Sequence, residues 1–380
     1  MKLKFKKSPE QIELIKALAS TDKLKSQEAQ ALFVNLIGPV LNTALLQEDT
    51  ASQLFTNMTF NEDEDPAFAI EPYSDTTEPQ FGVWSSALPG GLPTNLILRP
   101  VDIVRFNPRR IDSAVSYIKR LLRTGRIDEL AISLTRLVQE IMVKDQNDAW
   151  MVILSALSAA STTFGGVLNP HVHTVATPGY LGLQDFSKAL TLFRRINRSW
   201  VGGTPVGGAA RPTDMYMSPE MMEQIRAFAY QPVNTKGANN AAPQGGDVIR
   251  MEDQARREVW SSAGVTEFFG MQIHELLELG PGSIYTTIFG NAAGSTAFPV
   301  LGGTGTSTFN STTTGNDLII MVDANKEFAF KATMLNGNGD AFTLVPDDQF
   351  PIRAEKVGFY GFTESARMVL ETRGVVGIVV

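Results

Sequence analysis

The sequence contains no cysteine, which excludes disulfides, thiol nucleophiles and cysteine-ligated zinc or iron–sulfur centres. That absence suits a reducing compartment. Histidine is almost as scarce, represented only by His171, His173 and His274, and lysine is missing altogether between Lys25 and Lys119. Long apolar runs are missing too. The most apolar helical stretch, Leu32 to Leu46, contains Asn35, Pro39 and Asn42 and falls short of the roughly 20 apolar residues of a membrane span. The opening Met1-Lys2-Leu3-Lys4-Phe5-Lys6-Lys7 resembles a secretory n-region, but Glu10, Glu13 and Lys16 interrupt what would have to be its apolar core. No membrane partner is expected.

With 380 residues and 43% hydrophobic content, the chain can build one large core or two modest ones. A net charge of −7 argues against general coating of nucleic acid and leaves room for local basic patches. Signatures of catalysis are missing. Gly302-Gly303-Thr304-Gly305-Thr306-Ser307 lacks the lysine of a phosphate loop, and neither G-x-S-x-G nor H-E-x-x-H occurs. His171 and His173, two apart, could share one face of a strand and bind a metal, but no third ligand is near in sequence. A solvent-facing or hydrogen-bonded loop pair is the other reading, and His274 reads as structural. No cofactor and no catalytic residue is assigned.

Along the chain, Ser8-Pro9-Glu10-Gln11 opens a short helix, with proline at its first position. A second helix, from about Ser26 to Leu46, is expected to kink near Gly38-Pro39. From Phe60 to Pro108 recurrent prolines forbid a long helix, while Leu96-Ile97-Leu98 and Val101 to Val104 have strand character, so the stretch reads as an extended hairpin or a surface linker. Its apolar residues, Phe68, Ile70, Phe81, Val83 and Trp84 among them, exceed what a solvated linker needs. They call for a partner surface. Next, Ile127, Leu130, Leu134, Val138, Ile141, Ala149, Ile153 and Ala160 recur at helical spacing, giving a helix of roughly 50 Å. From Gly179 helices and strands alternate: a helix over Leu183 to Trp200, extended chain at Asp214 to Met217, and a helix capped by Ser218-Pro219-Glu220. Strands are expected near Met271 to Leu276, Leu318 to Val322, Glu327 to Met334 and Ile352 to Phe362, with a strand-forming tail from Arg373 to Val380.

Charge is segregated within the extended region. Glu62, Asp63, Glu64 and Asp65, followed by Glu71, Asp75 and Glu78, form an acidic stretch, and Arg99, Arg105, Arg109, Arg110, Lys119, Arg120, Arg123 and Arg126 a basic one. Such complementarity can dock one subunit onto another, or be neutralised within one chain. The candidate intersubunit contacts are Glu62, Asp63, Glu64, Asp65, Phe68, Phe81, Trp84, Arg99, Arg105, Arg109 and Arg110. The lysine-rich N-terminus could touch phosphates or an acidic neighbour, or serve only solubility.

This order of pieces resembles the tailed-bacteriophage major capsid proteins of the Hong Kong 97 fold. The matching text is the hairpin Phe60 to Asn107, the long helix Arg126 to Ala160, the strand-to-helix step Thr213 to Glu220, and the tail Phe362 to Val380. The resemblance implies an α+β, HK-97-like capsid fold with an N-terminal arm (1–59), an E-loop hairpin (60–107) and a P domain with its spine helix (108–178). It further implies a mixed α/β A domain (179–340), P-domain return strands (341–370) and a closing A-domain strand (371–380). The function implied is structural: hexamers and pentamers of this chain tile an icosahedral shell around double-stranded DNA contacted non-specifically, in a virion assembled in the host cytoplasm. A portal and, in some shells, a cement protein belong to that reading. The namesake of the fold joins an E-loop lysine to an asparagine of another subunit, and the lysine-free span between Lys25 and Lys119 departs from that pattern. Family members also commonly carry a removable scaffolding segment. Here Met1 leads almost at once into arm-like sequence, so a separate scaffolding protein is expected. Two rivals stand beside this reading: an encapsulin-type nanocompartment of the same fold, and a soluble α/β enzyme using its Gly-rich loops as a clamp.

Overall fold

The structure is a computed structural model. It describes residues 9–20, 22–47, 51–70, 102–120, 127–164, 167–175, 177–196, 211–230, 267–294, 297–299, 306–309, 316–324, 328–337, 339–347 and 356–380. In chain order, helices α1 (Pro9–Leu18) and α2 (Lys23–Gln47) precede strands β1 (Thr56–Asn61), β2 (Ala67–Ile70), β3 (Asp102–Arg105) and β4 (Arg109–Ile118). Helix α3 (Ile127–Ala159) follows, then β5 (Ser161–Phe164), β6 (Val167–Pro170), β7 (Val172–Thr174), α4 (Leu183–Ile196), β8 (Asp214–Met217) and α5 (Pro219–Tyr230). The remainder is β9 (Glu267–Phe268), β10 (Met271–Glu275), α6 (Ile284–Ala293), β11 (Ala297–Pro299), β12 (Thr306–Thr308), β13 (Leu318–Val322), β14 (Ala329–Leu335), β15 (Phe342–Asp347), β16 (Lys356–Val369) and β17 (Val375–Val379). They fall into two compact units. The first comprises 1–72, 97–150 and 329–368, and the second 73–96, 151–328 and 369–380.

In the first unit a sheet runs β1-β14-β16-β15, with β4 also paired to β16. Strand β4 alternates between half-buried and exposed residues from Ile111 to Ile118, the pattern of a sheet with one face packed and one solvated. Its antiparallel register on β16 runs from Arg109↔Ser365 to Ile118↔Lys356. The packed face carries Val357 and Phe359, which join Phe342 and Leu344 of β15, Leu134, Leu137, Val138 and Ile141 of α3, and Phe33 and Ile37 of α2 in one core. Phe359 is its centre, with ring centroids 5.2 Å from Phe33 and 6.5 Å from Tyr117. Burial pushes the Tyr117 hydroxyl up to about 12 against an opposing hydrogen bond with Ser133. Helix α2 continues unbroken through Gly38-Pro39 to Gln47, and it is apolar on two sides. Ala29 and Phe33 are buried while Leu24, Leu32 and Leu36 are exposed.

The second unit is built on a six-stranded sheet of order β7-β17-β13-β8-β10-β9. Strands β13 and β17 are buried at every position, so their continuous apolar text, Leu318 to Val322 and Val375 to Val379, is that of strands covered on both faces. Phe186, Leu192 and Phe193 of α4 and Met221, Met222 and Ile225 of α5 pack against Met215, Ile319, Met321 and Ile378. Elsewhere Gly377 lets the helix end approach closely: a Cβ there would lie 3.1 Å from Leu157 Cδ2. Ser218 caps α5 as the sequence indicates, its Oγ accepting the Met221 N–H at 3.2 Å. Several elements were not read individually from the sequence, among them strands β4, β5, β6, β11 and β12 and helix α6, which carries Thr286, Thr287 and Gly290 among its apolar residues.

Because the register places Phe359 inside and Phe362 on the opposite face, the two phenylalanines should respond differently to truncation. Phe359→Ala is expected to lower stability by about 3–5 kcal/mol, and Phe362→Ala by about 1 kcal/mol, mainly through its lost cation–π contact. Denaturant unfolding of the two variants checks this, and equal losses would refute the assigned register.

Candidate assembly surface and its supporting residues

The extended hairpin is present at its base, where β2 and β3 pair antiparallel from Ala67↔Arg105 to Ile70↔Asp102. Phe68 lies on β2 opposite Val104, whereas Phe81, Trp84 and Arg99 lie outside the described residues. The ends of the stretch contribute more to the fold than its composition suggests. Phe60 is in β1, which runs parallel to β14 with Phe60 opposite Met334. Phe106 is buried, its ring 6.2 Å from that of Phe60, and its N–H donates to the Pro66 carbonyl at 2.9 Å. The hairpin is thus rooted in the first unit.

The acidic run forms the turn between β1 and β2. Glu64 is engaged locally, its carboxylate accepting the Asn61 backbone N–H at 3.0 Å and Asn61 Nδ2 at 3.2 Å. Glu62 and Asp63 are exposed. Asp65 meets Arg105 across the hairpin at 3.5 Å, but the two side chains are 64% and 72% exposed, so the pair contributes at most about 1 kcal/mol. Farther along, Arg109 is exposed. Arg110 lies 3.9 Å from Glu364, and its guanidinium sits over the Phe362 ring at 3.7 Å and the Tyr360 ring at 5.3 Å. Tyr360 donates its hydroxyl to Asp112 at 2.7 Å, and that bond raises the Tyr360 hydroxyl above its usual range. Some of the expected charge complementarity is therefore satisfied within the chain, and Arg110 of β4 stands on the solvated sheet face with two aromatic rings.

Asp145 is a paired charge that sequence reasoning passed over. It occupies the stripe position between Ile141 and Ala149, where a charge within an apolar helical stripe signals a buried ion pair. Its Oδ2 accepts Lys331 Nζ of β14 at 3.2 Å and the Arg367 guanidinium of β16. Ser365 Oγ stands 3.4 Å from Oδ1. Burial alone would push this carboxyl up, but the charges and hydrogen bonds of Arg367 and Lys331 outweigh it and hold it below the usual carboxylate range.

Two histidines of the second unit, His171 and His173, are buried, not solvent-facing. His171 and His173 are both 0% exposed, because β7 forms the edge of the sheet beside β17 and is covered there. Of the two open readings, the hydrogen-bonded one holds. His171 Nε2 is 2.6 Å from Thr162 Oγ1 and its Nδ1 is 2.9 Å from the Thr372 carbonyl, while His173 Nε2 is 3.1 Å from Asp185 Oδ1. His274 stacks on Tyr216 with centroids 4.9 Å apart and bonds Asp214 at 2.9 Å. Among the described residues no group of three or more His, Asp or Glu could hold a metal ion, and no helix is long and apolar enough to cross a membrane.

No family model matches the sequence, and no curated protein matches it either. Solved structures do. A chain of the bacteriophage PhiM1 mature capsid superposes with a TM-score of 0.50 at 9% identity, over 87% of this chain and 86% of that one. The fold is the α+β, HK-97-like capsid fold. The capsid of cyanophage P-SCSP1u gives a TM-score of 0.48 at 11% identity over 86% of both chains. That of a native GTA particle gives 0.49 at 11% identity, over 87% of this chain and 90% of that one. In this fold the Asp145 cluster lies on α3, β14 and β16, and the charged hairpin base on the β1–β2 turn and strands β2 and β3.

The depressed carboxyl of Asp145 sets an acid limit. Its contribution is fully present above the unfolded value of about 3.9 and is lost as pH falls through the lower folded value. Asp145→Asn should be less stable at pH 7 by about 3–5 kcal/mol, since two cations lose their carboxylate, and its melting temperature should fall less steeply than the wild type's below pH 4. Parallel melting curves for the two proteins across that range would refute this role.

Proposed function

We propose that this chain is a structural, non-enzymatic shell subunit, assembling with copies of itself as hexamers and pentamers of an icosahedral virion capsid that encloses double-stranded DNA. The observation that carries the reading is the capsid fold shared with the PhiM1 chain over 87% of this one. In this reading 1–59 is the arm, 60–107 the E-loop, 108–178 the P domain with α3 as its spine, and 179–340 the A domain. Residues 341–370 and 371–380 supply the return strands and the closing strand. Portal, a separate scaffolding protein and, where needed, a cement protein are its partners, and assembly takes place in the host cytoplasm.

The charged hairpin base supports contact between subunits. Glu62 and Asp63 point charge into solvent, and the exposed Asp65–Arg105 pair adds little within one subunit. Their collective effect is therefore expected between chains, with Glu64, Arg109 and Arg110 beside them and Phe68, Phe81, Trp84 and Arg99 carried on the same loop.

Negative-stain electron microscopy of the purified, expressed protein tests the function: closed icosahedral particles or capsomers are expected, and a strictly monomeric protein with saturable turnover of a substrate would overturn it. Nucleic acid within particles from infected cells supports the virion reading over an encapsulin, which would hold a cargo enzyme. Reversal of Glu62, Asp63, Glu64 and Asp65 to lysine should abolish closed shells while leaving the melting temperature within a few degrees of the wild type. Unimpaired assembly of that variant would reduce the run to a solvated turn.

A further inference from the structure

The first unit contains a cavity of about 210 Å³ between α3 and the strands β1, β14, β15 and β16. Ile141, Met142, Leu335 and Phe342 give it an apolar wall, and Asp145 and Lys331 give it a charged end. The charges there do not balance. Both Lys331 and Arg367 are directed at one oxygen of Asp145, so among the described residues two cations share one carboxylate. The Arg367 side chain is 4% exposed and that of Lys331 21%, and the buried Arg367 Nε has no hydrogen-bond partner. A positive charge left over in so dry a place is unfavourable unless an anion joins it. Lys331 is the group placed to receive one. It lines the cavity, and an ammonium has three donors, of which Asp145 takes one.

We infer that this cavity is a binding site for a small amphipathic monocarboxylate of about the size of hexanoate or benzoate. The carboxylate sits on Lys331 and the hydrocarbon lies against Ile141, Met142, Leu335 and Phe342. Size supports this class, since an apolar cavity of about 150 Å³ already takes benzene and this one is larger, with a cation at one end. Asp145 restricts the charge: it also lines the cavity, so a dianion such as phosphate meets repulsion that a single carboxylate, paired to Lys331, tolerates. Because its walls come from a helix and from strands distant in sequence, the site exists only in the folded unit. A ligand held there stabilises the fold by mass action.

Calorimetric titration of the full chain with hexanoate, benzoate, 1-hexanol and hexylamine, alongside thermal melts, tests the inference. Saturable binding of the carboxylates with a rising melting temperature is expected, at least tenfold weaker binding of the alcohol, and none of the amine. Lys331→Met should weaken hexanoate at least tenfold and Lys331→Arg should retain it, while Ala341→Leu, which fills the cavity, should abolish it. Should Lys331→Met fail to fold, the ligand series on the wild type and the cavity-filling variant decide. Absence of saturable carboxylate binding to the wild type, equal binding of 1-hexanol, or undiminished binding in Ala341→Leu would overturn the site.

Discussion

A carboxylate on the buried stripe of a long helix can stay ionised only if cations are brought to it, and the first unit is arranged so that two are. Lys331 comes from β14 and Arg367 from β16, and both converge on Asp145 of α3. This ties the helix to two strands at defined positions. Side chains alternate along a strand, so a one-residue slip of β16 would turn Arg367 to the other face and take Phe359 out of the core. The ion cluster and the aromatic core therefore enforce one register. Burial opposes the charge and the paired cations prevail, which makes the cluster a strong specifier of geometry and a modest source of net stability.

The second unit reaches order by another route. Its central strands are apolar on both faces, and helices α4 and α5 cover one of them with Phe186, Phe193, Met221 and Ile225. Several of its buried polar groups are tied by hydrogen bonds: His171 bridges Thr162 and the Thr372 carbonyl, and Ser218 donates to Asp317 while capping α5. Burial pushes the Asp317 carboxyl up in spite of that hydrogen bond and of the Leu318 N–H. The His171–Thr372 and Ser218–Asp317 ties join segments 201 and 99 residues apart, so the sheet order β7-β17-β13-β8 is specified by polar contacts as well as by apolar area.

The capsid fold and the exposed charges of the hairpin base fit together physically. A subunit that forms shells must keep some surface unsatisfied until neighbours arrive. Weak exposed pairs such as Asp65–Arg105 cost little to break, and in the proposed shell they would be exchanged for contacts with another chain. Phe106 holds the root of the hairpin in the core while the charged turn remains in solvent.

Local chemistry let the sequence specify much by itself. Proline at helix starts, the Ser218 cap, the 3.6-residue stripe of α3 and the unbroken apolar text of β13 and β17 are readable because each depends only on neighbours in sequence. The order of arm, hairpin, long helix and mixed region likewise pointed to the capsid fold. Tertiary structure decided the rest. The partners of Asp145 lie 186 and 222 residues away, a separation that no local pattern spans, although the charge at a stripe position was there to be noticed. His171 and His173 looked like loop residues until the sheet buried them, and Phe60 and Phe106 looked like hairpin text until β1 joined β14. Which face of β16 is core and which is solvent followed only from its pairing with β4 and β15, because alternation marks two faces and only packing selects the inner one.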